Sequence, residues 1–313
     1  MSDREREDFD DLVDGVIDVL GKIKNLRLLD PTVMEALAAK LVVVRDESAA
    51  LMDEKGLHHL KDLWDTVRQM SEYCARLEGG FLKDAITDTK NAVPEARSDY
   101  LFAERNHDVG VGRMSDKQEE RKLEGRIYNR WRAASPLEKP VEGLWDVFVG
   151  YQVPLYSTAK QAGWGKIDLF GFSSSDEVPV VLELKRAGSR ETPLRAMLEG
   201  VAYAIAVRKR WEKIAKGITA TYGSLPVPDT PDVIRVVVLA PERYWKQWRP
   251  DEDDADGNKL RRRHMKEAAK SFADLVRALG EKQYDVRFAE IGAHDIDDAD
   301  ASIAIRRIAF PAT

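Results

Sequence analysis

Asp168, Glu183 and Lys185 are the residues of this 313-residue sequence whose types and spacing best suit chemistry. Asp168 ends the strand-like run GKID, and Glu183 and Lys185 stand two residues apart in the next run, VPVVLELKR. Side chains two residues apart on a strand lie on the same face. A turn over residues 173–177 would bring Asp168 beside Glu183, so that two carboxylates and one ammonium group share a small site.

Such a trio suits metal-assisted attack on a phosphate. Carboxylates and water are the usual ligands of Mg²⁺, which takes further oxygens from phosphate groups. The metal would polarise the phosphate and activate a water, while the lysine would stabilise the developing charge. Two blander interpretations stay open: Lys185 neutralises the two acids in a structural cluster, or the strand is an exposed edge. The nearly continuous apolar run VPVVLEL favours a buried strand, in which charges are costly unless paired or metal-bound.

Two helical patterns place further acids near this trio. In the first, over residues 115–131, Glu124 lies within the apolar stripe and Glu120 lies one turn earlier on the same side. In the second, which Thr192 and Pro193 begin, Glu199 adjoins Gly200. The small residue would let this helix approach another backbone closely. Structural ion pairs explain many inward-facing glutamates, and that alternative stays open for each helix.

The order of these elements resembles the core of the PD-(D/E)XK nuclease superfamily over about residues 115–245. The order is a helix with a glutamate, a strand, a strand ending in aspartate, a strand with Glu-x-Lys, a helix and a strand. The resemblance implies that Asp168 and Glu183 bind a metal ion, which the backbone carbonyl of Leu184 helps to hold. It implies that Lys185 is catalytic and that Glu124 is the family's first-helix acid, a catalytic residue that would aid metal or water binding.

The sequence departs from the family pattern at two positions. Some branches carry a glutamine and a tyrosine four residues apart in the second helix, where this chain has Glu199 and Tyr203. The role of Glu199, as a metal ligand or as a structural residue, is therefore open. In the family motif a proline precedes the aspartate, whereas Ile167 precedes Asp168 in this chain. The superfamily commonly tolerates this change.

The same resemblance implies a metal-dependent nuclease that hydrolyses phosphodiester bonds, with Mg²⁺ as cofactor and Mn²⁺ as a substitute. DNA is favoured over RNA as the partner, and prokaryotic antiviral defence is one context that such domains suggest. The alternative is a catalytically silent nuclease-fold module that binds nucleic acid or serves as a protein scaffold.

Basic residues beside the trio are candidates for binding the nucleic acid. Arg186, Arg190 and Arg195 flank the site and could position phosphate groups. Trp245 lies in the basic run RYWKQW, a composition suited to stacking on bases. Packing in a core is the alternative for this tryptophan.

The surrounding elements predict an α/β fold with a restriction-endonuclease-like mixed central sheet, preceded by an all-α N-terminal domain. After the first helix come three strands, a helix over residues 192–211, a strand, a third helix and two late strands over residues 284–292 and 301–310. We therefore expect a nuclease-like domain over residues 115–313 and a linker over residues 91–114.

Residues 1–90 show helical apolar spacing and are expected to form an acidic helical domain. This domain would dock a protein partner or mediate self-association. The first 100 residues carry 14 Lys and Arg against 22 Asp and Glu, whereas the rest carry 35 against 33. The second part is therefore the better candidate for contact with nucleic acid.

Composition also bears on the compartment. A single cysteine, Cys74, excludes an intrachain disulfide and suits a reducing compartment. No run approaches the ~18 apolar residues that a membrane span requires, and the acidic start does not resemble a targeting signal. We expect a cytoplasmic protein without membrane contact.

Overall fold

The computed structural model describes residues 82–93, 100, 102, 107–111, 118–155, 165–189, 191–246, 248–249, 259–292 and 303–310. Almost all of the predicted helical domain over residues 1–90 lies outside this part of the chain, as does most of the predicted linker over residues 91–114. These domain predictions, and the expected docking or self-association through residues 1–90, therefore stay predictions.

The described helices differ widely in length, from one turn to six. They are α1 (Leu82–Ala92), α2 (Glu119–Trp131), α3 (Pro193–Lys209), α4 (Trp211–Thr221), α5 (Glu242–Lys246) and α6 (Lys259–Glu281). Within the described ranges, none of the helices is both long enough and apolar enough to cross a membrane.

Six strands form one mixed sheet in sequence order. They are β1 (Val147–Pro154), β2 (Lys166–Ser173), β3 (Val178–Leu184), β4 (Ile234–Pro241), β5 (Tyr284–Ile291) and β6 (Ile305–Ile308). The pairs β1–β2, β2–β3 and β5–β6 are antiparallel, whereas β3–β4 and β4–β5 are parallel. The predicted α/β class with a mixed sheet flanked by helices is confirmed. The restriction-endonuclease-like form and the all-α N-terminal domain remain predictions.

The sheet belongs to one compact unit, which comprises residues 89–247 and 279–309. All the candidate site residues that the structure describes lie in this unit. The remaining described residues belong to a second unit, in which the rings of Phe272 and Phe310 meet edge to face with centroids 5.5 Å apart.

Helix α2 covers one face of the sheet because its apolar residues recur at helical spacing. Its buried side chains Leu123, Ile127 and Tyr128 join a core cluster with Leu182 and Leu184 of β3. Alternate residues of a strand face opposite sides, so Glu183 cannot share the face of these two leucines. The local sequence therefore directs Glu183, the one charged residue of β3, away from the α2 core.

Helix α3 covers the opposite side, where its small residues allow a close approach. The side-chain oxygen of Thr192 accepts a hydrogen bond from the backbone N–H of Arg195 at 3.0 Å, as expected for its N-cap. A Cβ atom added at Gly200 would lie 2.6 Å from Cγ1 of Val236 and 3.8 Å from Cβ of Glu183. Gly200 therefore lets α3 rest directly against β3 and β4.

Three elements differ in extent from the sequence prediction. The first helix begins at Glu119, and Gln118 at its N-cap position makes no side-chain capping hydrogen bond. The predicted helix over residues 192–211 breaks at Arg210, where the chain turns into α4 and buries Trp211, whose indole N–H donates to the carbonyl of Pro228. The last strand is also shorter than predicted, with only Ile305–Ile308 paired.

Gly200→Ala tests the close approach of α3 to the sheet. Alanine favours a helix over glycine by about 1 kcal/mol, but overpacking a tight contact typically costs about 1–3 kcal/mol. Because the contact at Gly200 is with a stiff, β-branched side chain, we expect a net loss of roughly 1 kcal/mol in the free energy of unfolding. Urea unfolding followed by circular dichroism measures this change.

Gly280→Ala is the matched control, because a Cβ atom there meets nothing within 4 Å. This helical substitution should leave stability unchanged or raise it slightly. Equal effects at Gly200 and Gly280 would show that α3 and the sheet have room to separate.

Candidate active site

The hairpin of β2 and β3 brings Asp168 and Glu183 together. Leu169 pairs with Leu182 in the antiparallel register, so Asp168 and Glu183 are the next positions along the two strands. The backbone N–H of Leu184 donates to Oδ2 of Asp168 at 2.9 Å. The placement expected from the sequence, with Asp168 beside the Glu-x-Lys strand, is therefore observed.

Lys185 is the buried cation of the site, with 4% of its surface exposed. Its Nζ atom lies 2.7 Å from Oε1 of Glu183, 2.7 Å from Oε2 of Glu191 and 3.7 Å from Oε2 of Glu199. Its backbone N–H donates to the carbonyl of Leu239, which holds the residue beside β4. One ammonium group thus faces carboxylates from a strand, a loop and a helix.

Glu199 reaches the site from α3, as the sequence suggested. Its Oε1 atom accepts a hydrogen bond from the hydroxyl of Tyr203 at 2.9 Å, and its Oε2 atom faces Lys185. The tyrosine one helical turn later therefore orients the glutamate. The described contacts of Glu199 are with a lysine and a tyrosine, which suits a role in holding Lys185.

Glu124 is buried, as its position in the apolar stripe of α2 predicted, with 3% of its surface exposed. Nε2 of Gln152 donates to Oε2 of Glu124 at 2.6 Å and to Oδ1 of Asp168 at 3.2 Å. Glu124 is thus connected to the strand acids through an amide. Sequence reasoning missed Gln152, since a glutamine in the run VFVGYQVPLY resembles any exposed strand position.

Two further acids were not assigned to the site from the sequence. Glu191 contacts both Lys185 and Arg195, at 2.7 Å and 3.1 Å. Glu120, noted only as a neighbour of Glu124, lies close enough to Lys185 and Glu191 for their charges to influence it. Glu191 lies just before the N-cap of α3, in the loop between β3 and this helix. That position was the sequence signal that could have placed it near Lys185.

Burial is the main influence on the acids nearest the sheet. It raises the pKa of Asp168 well above its usual range, and the charge of Glu124 adds to the effect, whereas Lys185 opposes it. Burial also raises the pKa of Glu183, with Asp168 and Glu199 adding to the effect. For Glu124, burial raises the pKa to about 8, although the hydrogen bond from Gln152 acts in the other direction. These carboxyl groups compete with one another for a limited supply of positive charge.

Lys185 responds in the opposite way. Burial by itself would lower the pKa of Lys185, but Glu183, Glu191 and Glu199 together hold it well above the ordinary value. Burial would likewise raise the pKa of Glu191, yet Lys185 and Arg195 bring it below the usual range. Lys185 is therefore a permanent cation at neutral pH, and Glu191 is its ionised partner.

The oxygen set suits a hard divalent cation. Oε2 of Glu183 is buried and has no hydrogen-bond partner among the described residues, an arrangement that is costly unless a cation or a proton satisfies it. Within the described ranges no three His, Cys, Asp or Glu side chains are grouped closely enough to hold an ion by themselves. Mg²⁺ needs only one or two carboxylates, because water and substrate phosphates complete its shell. Asp168 and Glu183, with the nearby Leu184 carbonyl, meet that requirement.

The arginines predicted to bind phosphate are only partly placed at the site. Arg186 is half exposed and lies 3.5 Å from Glu119, and Arg195 is paired with Glu191. Arg190 lies outside the described residues. Both described arginines are near the acids, but each already has a carboxylate partner.

Trp245 does not offer a surface for bases. Its ring is completely buried, and its indole N–H donates to the carbonyls of Ala240 and Ala289. Core packing, the alternative interpretation of this tryptophan, is therefore confirmed, and its interpretation as a stacking platform is wrong. The basic residues around Trp245 suggested an exposed surface, but a single ring within a basic run can still be buried.

Glu124→Gln tests the burial of this acid through the pH dependence of stability. With a folded-state pKa of about 8 and an unfolded value of 4.5, Glu124 holds its proton more tightly when folded. Its favourable contribution is present below pH 4.5 and is lost as the pH rises through 8. The variant should therefore gain stability over the wild type between pH 5 and pH 9, by an amount on the order of a few kcal/mol.

The measurement is urea unfolding of both proteins across this pH range, with EDTA present to exclude metal ions. Glu119→Gln, on the exposed side of the same helix, is the control for replacing a glutamate of α2 by glutamine. A pH-independent difference for Glu124→Gln would mean that Glu124 ionises as freely as a surface acid.

No protein-family model, no curated protein and no solved structure matches the chain. The fold class of the described part, a mixed α/β sheet flanked by helices, thus stands on the structure itself. Membership of the PD-(D/E)XK superfamily remains a proposal that the site residues support.

Proposed function

We propose that this protein is a metal-dependent nuclease of the PD-(D/E)XK type, with a restriction-endonuclease-like fold. The reaction is hydrolysis of phosphodiester bonds in nucleic acid, with DNA favoured over RNA. The observation that carries the proposal is the unpartnered, buried Oε2 of Glu183 beside Asp168, with the ammonium group of Lys185 on the other oxygen. This combination supports a site that binds a cation and acts on an anion.

The charge balance of the site supports the same conclusion. Glu183, Glu191 and Glu199 face Lys185, and Asp168 and Glu124 are joined to the same cluster through Leu184 and Gln152. Lys185 and Arg195 supply two positive charges for five carboxyl groups, and unpaired buried charges are expensive. In a purely structural cluster the charges should balance. The excess of acidic groups favours a site that accepts a divalent cation.

Asp168, Glu183 and the carbonyl of Leu184 are the proposed ligands of Mg²⁺, for which Mn²⁺ can substitute. When bound, the metal supplies Lewis acidity toward the phosphate and lowers the pKa of a water. The hydrogen bond from the N–H of Leu184 fixes Oδ2 of Asp168, which leaves Oδ1 oriented toward Gln152. The protein thereby holds its ligands in place before a cation arrives.

Lys185 acts in this scheme as a charge stabiliser. A lysine whose pKa is raised well above its ordinary value stays protonated and cannot serve as a general base. Its three donors can bind the attacked phosphate or hold the attacking water. Glu191 and Glu199 keep the ammonium group positioned when Glu183 turns toward a cation.

Glu124 supports metal or water binding at the edge of the site. Burial raises its pKa to about 8, so near neutral pH it exchanges protons readily. It can therefore hold or release a proton close to Asp168, at the oxygen that now accepts a hydrogen bond from Gln152. The proposed roles of Arg186, Arg190 and Arg195 are contacts with phosphates that flank the scissile bond. For Arg186 and Arg195, a phosphate must replace the present partners Glu119 and Glu191.

The biological setting follows only from the resemblance. An antiviral-defence effector in a prokaryotic cytoplasm is the proposed context, with residues 1–90 binding a protein partner or a second copy of the chain. A silent nuclease-fold module that binds nucleic acid or forms a scaffold is the competing function. Cleavage assays separate the two, since a silent module binds without cutting.

The first functional test is incubation with plasmid DNA, linear duplex, single-stranded DNA and RNA in Mg²⁺, Mn²⁺ or EDTA. We expect cleavage of DNA in either metal and none in EDTA. Asp168→Asn should abolish both cleavage and Mn²⁺ binding, because it replaces a charged ligand with a neutral one. Binding of DNA without cleavage in any metal would favour the silent module.

A second test separates catalysis from metal binding at Lys185. Lys185→Ala removes the cation that stabilises developing charge, a contact typically worth about 3–4 kcal/mol or a hundred- to thousand-fold in rate. Mn²⁺ should still bind, because a competing positive charge has gone. Single-turnover cleavage and calorimetric titration with Mn²⁺ measure the two properties, and circular dichroism checks the fold.

Lys216→Ala is the control for loss of a lysine from the same unit. Lys216 is 74% exposed and pairs only with Glu212 one turn earlier among its described ion pairs. This variant should cut at the wild-type rate. Wild-type cleavage by folded Lys185→Ala would show that another residue supplies the positive charge.

A further inference from the structure

Gln152 joins two acids of the candidate site although no motif pointed to it. Its Nε2 atom donates to Oε2 of Glu124 at 2.6 Å and to Oδ1 of Asp168 at 3.2 Å. A side-chain amide nitrogen carries two hydrogens, so one nitrogen can serve both carboxylates. Gln152 thus links the acid of α2 to the acid of β2.

The backbone of Gln152 has an unusual conformation for a strand. Its φ angle is +48°, in the left-handed region that favours glycine, although the residue lies within β1. Its neighbours Tyr151 and Val153 pair regularly with β2. A strained residue between regular neighbours persists only where its surroundings hold it, and such residues cluster at functional sites. The two contacts of its amide with the acids help to hold Gln152 in this conformation.

We propose that Gln152 is a placeholder for the cation. Its amide nitrogen donates to the carboxylates of Glu124 and Asp168, and it would give up this position to a divalent cation. A cation held by Asp168, with Glu124 supporting its binding, would compete with Nε2 for the oxygens that the amide now contacts. This role rests on the metal site proposed above and assigns to that site a residue that controls its cation affinity.

The chemistry of the amide suits this role. A neutral amide donates to both carboxylates but adds no positive charge, so it stabilises the pair less than an ion would. The side chain is also partly exposed, whereas Glu124 and Asp168 are buried. Gln152 can therefore move toward solvent while the two acids remain in place.

A placeholder and a purely structural residue predict different outcomes. If Gln152 merely supports the site, a harmful substitution lowers both stability and cation affinity. If it competes with the cation, removing its donors destabilises the metal-free protein but frees the two oxygens. Replacing it with a permanent cation has the reverse effect on each property. The two properties should therefore move in opposite directions.

The test uses Gln152→Met, which keeps the length without donors, and Gln152→Lys, which places an ammonium group beside the acids. Melting temperatures are measured in EDTA, and Mn²⁺ affinity is measured at the same pH by calorimetry and electron paramagnetic resonance. Gln152→Met should melt lower and bind Mn²⁺ roughly tenfold more tightly, the size expected for one hydrogen bond to a charged group. Gln152→Lys should melt higher and bind Mn²⁺ at least about tenfold more weakly.

Gln283→Met is the matched control, since Gln283 also has a positive φ of 68° and its Oε1 accepts a hydrogen bond from Arg208. Mn²⁺ affinity should be unchanged in this variant. Equal or weaker Mn²⁺ binding by Gln152→Met overturns the placeholder role alone, provided that the wild type binds Mn²⁺. Failure of the wild type to bind Mn²⁺ overturns the metal site as well. Should Gln152→Met not fold, Gln152→Lys decides, and a loss of stability or unchanged Mn²⁺ affinity in that variant overturns the role.

Discussion

The site is governed by the need to place several carboxylates around one buried ammonium group. Nζ of Lys185 lies within 4 Å of oxygens from Glu183, Glu191 and Glu199. Removing charges from water is costly, and their attraction repays the cost only when each is paired. Lys185 pairs with the acids that face it directly, although Oε2 of Glu183 has no hydrogen-bond partner among the described residues. Asp168 and Glu124 lie farther along the cluster, and burial keeps the pKa of each raised.

The fold meets this need because one face of β3 packs into the core and the other face carries the charged group. Leu182 and Leu184 pack into the α2 core, while Glu183 and the following Lys185 project toward the acids. Gly200 lets α3 come close enough for Glu199 to reach Lys185. The alternation that builds the core therefore also aligns the charged groups, and a one-residue slip of the strand would exchange them.

The sequence carried enough information to place the strand residues and the helix acids. Alternation along β3 and the hairpin fixed Asp168 beside Glu183, and the apolar stripe of α2 located Glu124, because both depend on local periodicity. Gln152 and the contact of Glu191 with Lys185 could not be foreseen. Each depends on the direction in which a side chain points toward a neighbouring element. Gln152 also has a left-handed backbone, which a glutamine in the sequence does not indicate. The burial of Trp245 could not be predicted either, because the basic composition around it does not indicate whether its ring is buried.

The proposed cation site would exchange stability for the capacity to bind a cation. Without metal, raised pKa values let Asp168 and Glu183 retain protons, and Gln152 fills part of the space with a neutral donor. Both arrangements are weaker substitutes for positive charge. A divalent cation would replace them together, so cation binding, proton release and movement of Gln152 would be coupled. The unpartnered oxygen of Glu183 and the strained backbone of Gln152 would have one common explanation in such a site.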